Sequence, residues 1–168
     1  MTTAFLGLGS NVGDRMANLN AALERLRSTP SVEVLRASSV YETEPLGEVA
    51  DQRDFYNAAV EVRSALEPHR LLDECKRIEV ELGRRPGPRH GPRPIDVDLL
   101  LVGETTLADE RLVLPHPEVT RRRFVLVPLL ELDPELALPD GTRLADALAM
   151  LEPDQRVALV GPLVQSRG

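Results

Sequence analysis

The chain has 168 residues, 42% of them hydrophobic, and its 27 acids outnumber its 20 lysines and arginines for a net charge of −7. That length suits one domain, residues 1–168, large enough to bury a core without staples. Cys75 is the only cysteine, so no intrachain disulfide forms, as expected of a cytoplasmic protein. The acidic balance argues against a general nucleic-acid binder. MTTAFLGLGS has neither the basic region nor the long apolar run of a signal peptide, and no stretch approaches the ~20 apolar residues that span a bilayer.

Residues 3–8, TAFLGL, read as a short buried strand followed by a Gly-Ser-Asn turn. A helix follows from Asp14, with Leu19, Ala22, Leu23 and Leu26 on one face. Asn11 or Asp14 is placed to cap its start, and Pro30 marks its stop. Residues 32–41, VEVLRASSVY, read as a strand, and the polar stretch 42–54 as a long loop. Residues 55–63 alternate: Tyr56, Ala58, Val60 and Val62 face one way, Phe55, Asn57, Ala59 and Glu61 the other. Pro68 suits a helix start, Leu71, Cys75, Ile78 and Leu82 form its stripe, and Gly83 ends it. A loop rich in arginine and proline precedes a strand at 95–102. The remainder predicts a short strand near 111–114, a turn at LPHP, helices over 125–132 and 142–150, and a last strand near 156–160. The order β-α-β-β-α-β is the ferredoxin-like α+β pattern, an antiparallel sheet with both helices on one face, here with a C-terminal helical extension.

Asp96 and Asp98 share one face of their strand, with Ile95, Val97, Leu99 and Leu101 expected on the core side. Their Cα atoms stand ~7 Å apart by strand rise, and two charges at that distance repel by roughly 2 kcal/mol at an effective dielectric near 20. A positive partner is required: an arginine network, or a hard divalent cation such as Mg²⁺. A glycosidase acid–base pair would leave the neighbouring arginines without a role. Arg84, Arg85, Arg89 and Arg93 stand just upstream with no acid among them, and three more arginines occupy 121–123. The guanidinium fork matches phosphate oxygens, so these clusters suit a small polyanion. GLGSNVGD at 7–14 departs from the G-x-G-x-x-G spacing, so a tight strand-to-helix turn is the better reading than a dinucleotide loop. No P-loop motif occurs. His116, fixed between Pro115 and Pro117, is a candidate phosphate contact. Asn57 beside Phe55 offers an amide edge and a stacking face for a flat heterocycle. With no tryptophan and only three phenylalanines, Phe124 is a second candidate for stacking.

Six stretches, in order, carry a resemblance: LGLGSNVGDR (6–15), SSVYETEPLG (38–47), DFYNAAVEV (54–62), ELGR (81–84), GPRPIDVDLLL (91–101) and LVLPHPEVTRRRFVLVPLLEL (112–132). Together they resemble the 6-hydroxymethyl-7,8-dihydropterin pyrophosphokinases of folate biosynthesis, over nearly the whole chain. The resemblance implies transfer of pyrophosphate from ATP to a reduced pterin, with release of AMP. It implies that Asp96 and Asp98 hold two Mg²⁺ ions and, with Arg84 and Arg93, do the catalytic work. It puts the pterin among Thr43, Leu46, Phe55, Asn57, Asp96 and Phe124. ATP is implied to meet Lys76, Glu79, Arg84, Arg93, Leu99, Arg111, His116 and Arg122. Loops 42–54 and 84–94 are expected to close over the substrates. His90 stands where many members carry tryptophan, and Phe55 where others carry tyrosine. Two rival readings share the topology: a polymerase- or cyclase-like nucleotide enzyme, and a non-catalytic binding module.

Overall fold

The computed structural model describes residues 1–45, 52–83, 94–152 and 155–163. Arg84, Arg85, Arg89, His90, Arg93 and Leu46 lie outside the described residues. The elements are β1 (Thr2–Ser10), α1 (Arg15–Arg27), β2 (Val32–Ala37), β3 (Ser39–Thr43), β4 (Phe55–Ser64) and α2 (Pro68–Glu81). They continue with β5 (Asp96–Val102), β6 (Leu107–Ala108), β7 (Val113–Leu114), α3 (Arg123–Leu132), α4 (Leu144–Met150) and β8 (Val157–Pro162). Among the described residues no helix is long and apolar enough to cross a membrane.

The main sheet runs β5-β1-β4-β3-β8, with β2 also paired to β4. Every pairing is antiparallel, as the ferredoxin-like order requires. The single strand expected at 32–41 is broken at Ser38. Its buried Oγ accepts the Ala59 N–H at 2.8 Å, and its own N–H donates to the Ala59 carbonyl at 2.8 Å. A side chain thus replaces one rung of the ladder, and β2 and β3 continue along the same edge of β4.

Alternation divides the sheet into two faces. Ala4, Leu6 and Leu8 of β1, with Ala58, Val60 and Val62 of β4, pack beneath α1 and α2. The Asp14 side chain caps α1 by accepting the Ala17 N–H at 3.0 Å, and Pro68 begins α2, where its missing N–H costs nothing. On the opposite face Phe5, Ala59 and Leu101 are covered by Leu126, Leu129 and Leu132 of α3 and by Leu144 of α4. The C-terminal extension therefore closes the second face of the sheet.

One expected face assignment is corrected. Ile95, Val97 and Leu99 do join the α1–α2 core, but Leu101 faces α3. The register between β1 and β5 shifts at Phe5/Leu6, so that Leu6 pairs with Leu99 and Phe5 with Leu101. Leu100 is the extra residue of a bulge, and a bulge reverses the side-chain alternation beyond it.

Leu126 is fully buried at the centre of the α3 layer. Leu126→Ala is expected to cost about 2–5 kcal/mol, read as a lowered midpoint in urea unfolding, with the α1–α2 side of the sheet unaltered.

Candidate active site

The α3–α4 layer covers only part of its face of the sheet. Beyond it lies an open cleft of about 310 Å³. Its floor is made by β1 and its neighbours, where Gly9 pairs with both Asn57 and Asp96, and Gly7 with both Ala59 and Asp98. The two glycines explain why there is room. A Cβ on Gly9 would stand 2.8 Å from Asn57 Oδ1, and one on Gly7 would touch Leu100 Cδ1 at 3.4 Å. Both lie inside β1 rather than in the following turn, which sets aside the dinucleotide-loop reading. The turn itself is pinned by Asn11 Nδ2, which donates to Gln52 Oε1 and to the Arg53 carbonyl, each at 3.1 Å.

Five of the six residues expected around the pterin line this cleft, Thr43, Phe55, Asn57, Asp96 and Phe124, together with Asp98. Asn57 is buried in a central strand, and its Nδ2 donates to Thr43 Oγ1 at 2.6 Å. That bond fixes which way the amide points and leaves its Oδ1 over Gly9. Phe55 comes from the start of β4 and Phe124 from the first turn of α3, so the two rings belong to opposite elements of the cleft.

A second cleft, of about 260 Å³, adjoins the first and shares Lys76, Asp98 and His116 with it. Leu99 and Arg111 line it, with Leu72 and Leu112. Its rim is the β6–β7 connection, which is tied to α2 by two polar side-chain contacts. His69 Nε2 meets Asp109 Oδ2 at 2.7 Å, and Arg111 meets Asp73. The Asp109 carboxylate accepts the N–H groups of Arg111 and Leu112, each at 2.9 Å. Those bonds and His69 hold its pKa below the usual carboxylate value.

Glu79 lines neither cleft; it lies beneath them. Only 2% exposed, it accepts the Val97 N–H on Oε2 at 2.8 Å, and Lys76 Nζ lies 3.6 Å from its Oε1. Val97 is the residue between the two aspartates on β5, which pairs with β1. A helix carboxylate thus satisfies a backbone donor of the strand that carries Asp96 and Asp98.

His116 follows a cis peptide at Leu114–Pro115. Its Nδ1 accepts the Glu118 N–H at 3.0 Å, and burial lowers its pKa despite the nearby Glu118 carboxylate. Arg122 lines the first cleft, with its Nε 3.3 Å from Glu118 Oε2. Glu118 and Glu44 line the cleft without having been singled out in the sequence, and Gly7 and Gly9, read there as part of a strand-to-helix turn, form its floor instead.

Asp96 and Asp98 offer hard oxygen donors on one face of β5. Among the described residues no group of three or more His, Cys, Asp and Glu is placed to hold a metal ion. The donor set suits Mg²⁺, which is commonly bound by one or two carboxylates while keeping waters and substrate phosphates as its other ligands.

Fold and site together define an α+β protein of ferredoxin-like topology, with one cleft on the sheet face opposite the first two helices and the other beside α2 at the β5 edge. A family model described as 7,8-dihydro-6-hydroxymethylpterin-pyrophosphokinase matches residues 5–134. The 2-amino-4-hydroxy-6-hydroxymethyldihydropteridine pyrophosphokinase of Methylorubrum extorquens is 49% identical over 153 residues, covering 91% of this chain and 96% of the relative. The protein of that description from Bacillus subtilis is 44% identical over 129 residues, 77% of each chain. Among solved structures, an HPPK-DHPS in complex with substrates superposes with a TM-score of 0.70 at 13% identity, covering 88% of this chain and 43% of that one. Plasmodium falciparum HPPK-DHPS gives 0.67 at 18% identity, covering 89% of this chain and 43% of that one. At such identities these structures speak to the fold alone, and the chain spans less than half their length. The chain belongs to the 7,8-dihydro-6-hydroxymethylpterin-pyrophosphokinase family, the pyrophosphokinases of folate biosynthesis.

Glu79→Ala is expected to cost about 2–3 kcal/mol, since it removes a charged acceptor and leaves the Val97 N–H without it. Glu79→Gln keeps an acceptor and should lose clearly less. Urea unfolding of both variants checks the order.

Proposed function

We propose that this chain transfers the pyrophosphoryl group of ATP to the hydroxymethyl group of 6-hydroxymethyl-7,8-dihydropterin, with Mg²⁺ and with release of AMP. The observation that carries the reading is the pair of adjoining clefts that meet at Lys76, Asp98 and His116. One is floored by glycine and bordered by two phenylalanines and a buried amide, which suits a flat heterocycle with polar edges. The other has apolar walls and a mixed set of charges, in which Lys76 and Arg111 could meet a nucleotide's phosphates and Asp98 a bound cation. A donor and an acceptor held on either side of a shared seam need only be brought in line.

In this reading Phe55 and Phe124 sandwich the pterin ring, and Asn57, oriented by Thr43, reads its edge, with Leu46 completing the pocket. Lys76, Leu99, Arg111, His116 and Arg122 hold ATP, and Glu79 keeps Lys76 and β5 in place. Asp96 and Asp98 would hold Mg²⁺, two ions by family resemblance, which when bound neutralises charge on the phosphate oxygens. The pterin hydroxyl oxygen forms a bond to the β-phosphorus, the bond from that phosphorus to the α–β bridging oxygen breaks, and AMP leaves. The hydroxyl proton passes to solvent. Phosphoryl transfer asks mainly for alignment and for positive charge at those oxygens, and Arg84 and Arg93 would add to both. The chain would act as one domain, in the cytoplasm, with these two small molecules as its partners and no nucleic acid or membrane.

AMP formation from ATP and Mg²⁺ should depend on added 6-hydroxymethyl-7,8-dihydropterin. Asp98→Ala should lower kcat on the order of 10²-fold or more. Pterin-independent release of pyrophosphate would favour a nucleotidyl-transfer enzyme, and full turnover by Asp98→Ala would sink the assignment of that carboxylate.

A further inference from the structure

His116 borders both clefts, and the structure constrains its protonation state by geometry. The Glu118 N–H lies 3.0 Å from Nδ1. A backbone amide can only donate, so Nδ1 must present its lone pair, and the ring proton resides on Nε2. The turn that makes this contact is held at both ends. The His116 N–H donates to the Leu100 carbonyl at 2.9 Å, and the His116 carbonyl accepts the Val119 N–H at 3.1 Å. Leu100 belongs to β5, the strand of the two aspartates, so the ring is registered against them through the backbone. An imidazolium would set a second N–H against the Glu118 N–H, donor facing donor.

We propose that His116 serves as a neutral hydrogen-bond donor through Nε2–H, held in that tautomer by the Glu118 amide, while Lys76 and Arg122 supply the permanent charge around it. The proposal rests on the reading that ATP phosphates occupy the seam between the clefts. A phosphate oxygen only accepts, so Nε2–H can orient it without adding a further full charge. Burial of the ring favours the neutral form in the same sense. Glu118 then has two duties in one residue: its amide sets the His116 tautomer, and its carboxylate lies 3.3 Å from the Arg122 guanidinium.

Ring nitrogen-15 spectra of the full chain, recorded at about pH 7.5, a unit above the ordinary histidine pKa, read the tautomer with no substrate present. The chain has three histidines, and His116→Gln identifies the signals of His116. The expected pattern is a protonated Nε2 and a bare Nδ1. A protonated Nδ1, in either the other tautomer or the imidazolium, overturns the proposal. Turnover supplies the second readout. The glutamine amide reaches the Nε2 position, whereas the asparagine amide reaches only the Nδ1 position. His116→Gln should therefore retain at least about tenfold more kcat than His116→Asn, the scale of one hydrogen bond. Equal loss in the two folded variants contradicts the donor role. The spectrum does not depend on ATP, so a wrong substrate assignment would appear as missing AMP formation by the unaltered chain, with the tautomer result intact.

Discussion

The arrangement depends on β1 lying between β4 and β5 with strict alternation. One face of this strand carries Ala4, Leu6 and Leu8 into the α1–α2 core. The other carries Phe5 under α3 and then Gly7 and Gly9 under open space. The same register that buries the leucines also sets Asn57 on one side of Gly9 and Asp96 on the other. A slip of one residue would turn the leucines into the cleft and the glycines into the core. Core burial thus enforces the geometry of the site.

Charge is distributed around that frame so that each group is supported from behind. Asp96 and Asp98 are carried by a strand whose intervening N–H is held by buried Glu79. Glu79 in turn lies near Lys76, which borders both clefts. His116 is held by backbone bonds to Leu100 and Glu118, and Glu118 also faces Arg122. These supports come from strands, helices and backbone-bonded turns, which limits how far the site can reorganise.

Much of this was legible in the sequence, for identifiable reasons. The alternation of 55–63 is strong because inward and outward residues differ in polarity, and the observed faces match it. Asp96 and Asp98 stand out because charge is rare in an apolar strand. The bulge at Leu100 was not legible: Leu99 to Val102 are all apolar and buried, so a change of face leaves no trace in the pattern. The run FVLVPLLEL announces a buried helix without saying which face of the sheet it covers. Glu118 reads as an ordinary turn residue until folding brings its amide to His116. The break at Ser38 depends on one hydroxyl taking the place of a ladder bond, which periodicity does not report.

The central claim is that absent side chains at Gly7 and Gly9 create the ring-binding floor and let Asn57 read the pterin. Gly9→Ala tests it most directly, because the new Cβ would stand 2.8 Å from Asn57 Oδ1 and would push the amide against the position its bond to Thr43 sets. The account predicts that the pterin KM rises at least about tenfold, the scale of one disrupted hydrogen bond, while the affinity for ATP in the adjoining cleft is unchanged. A folded Gly9→Ala variant with the pterin KM of the unaltered chain would contradict it.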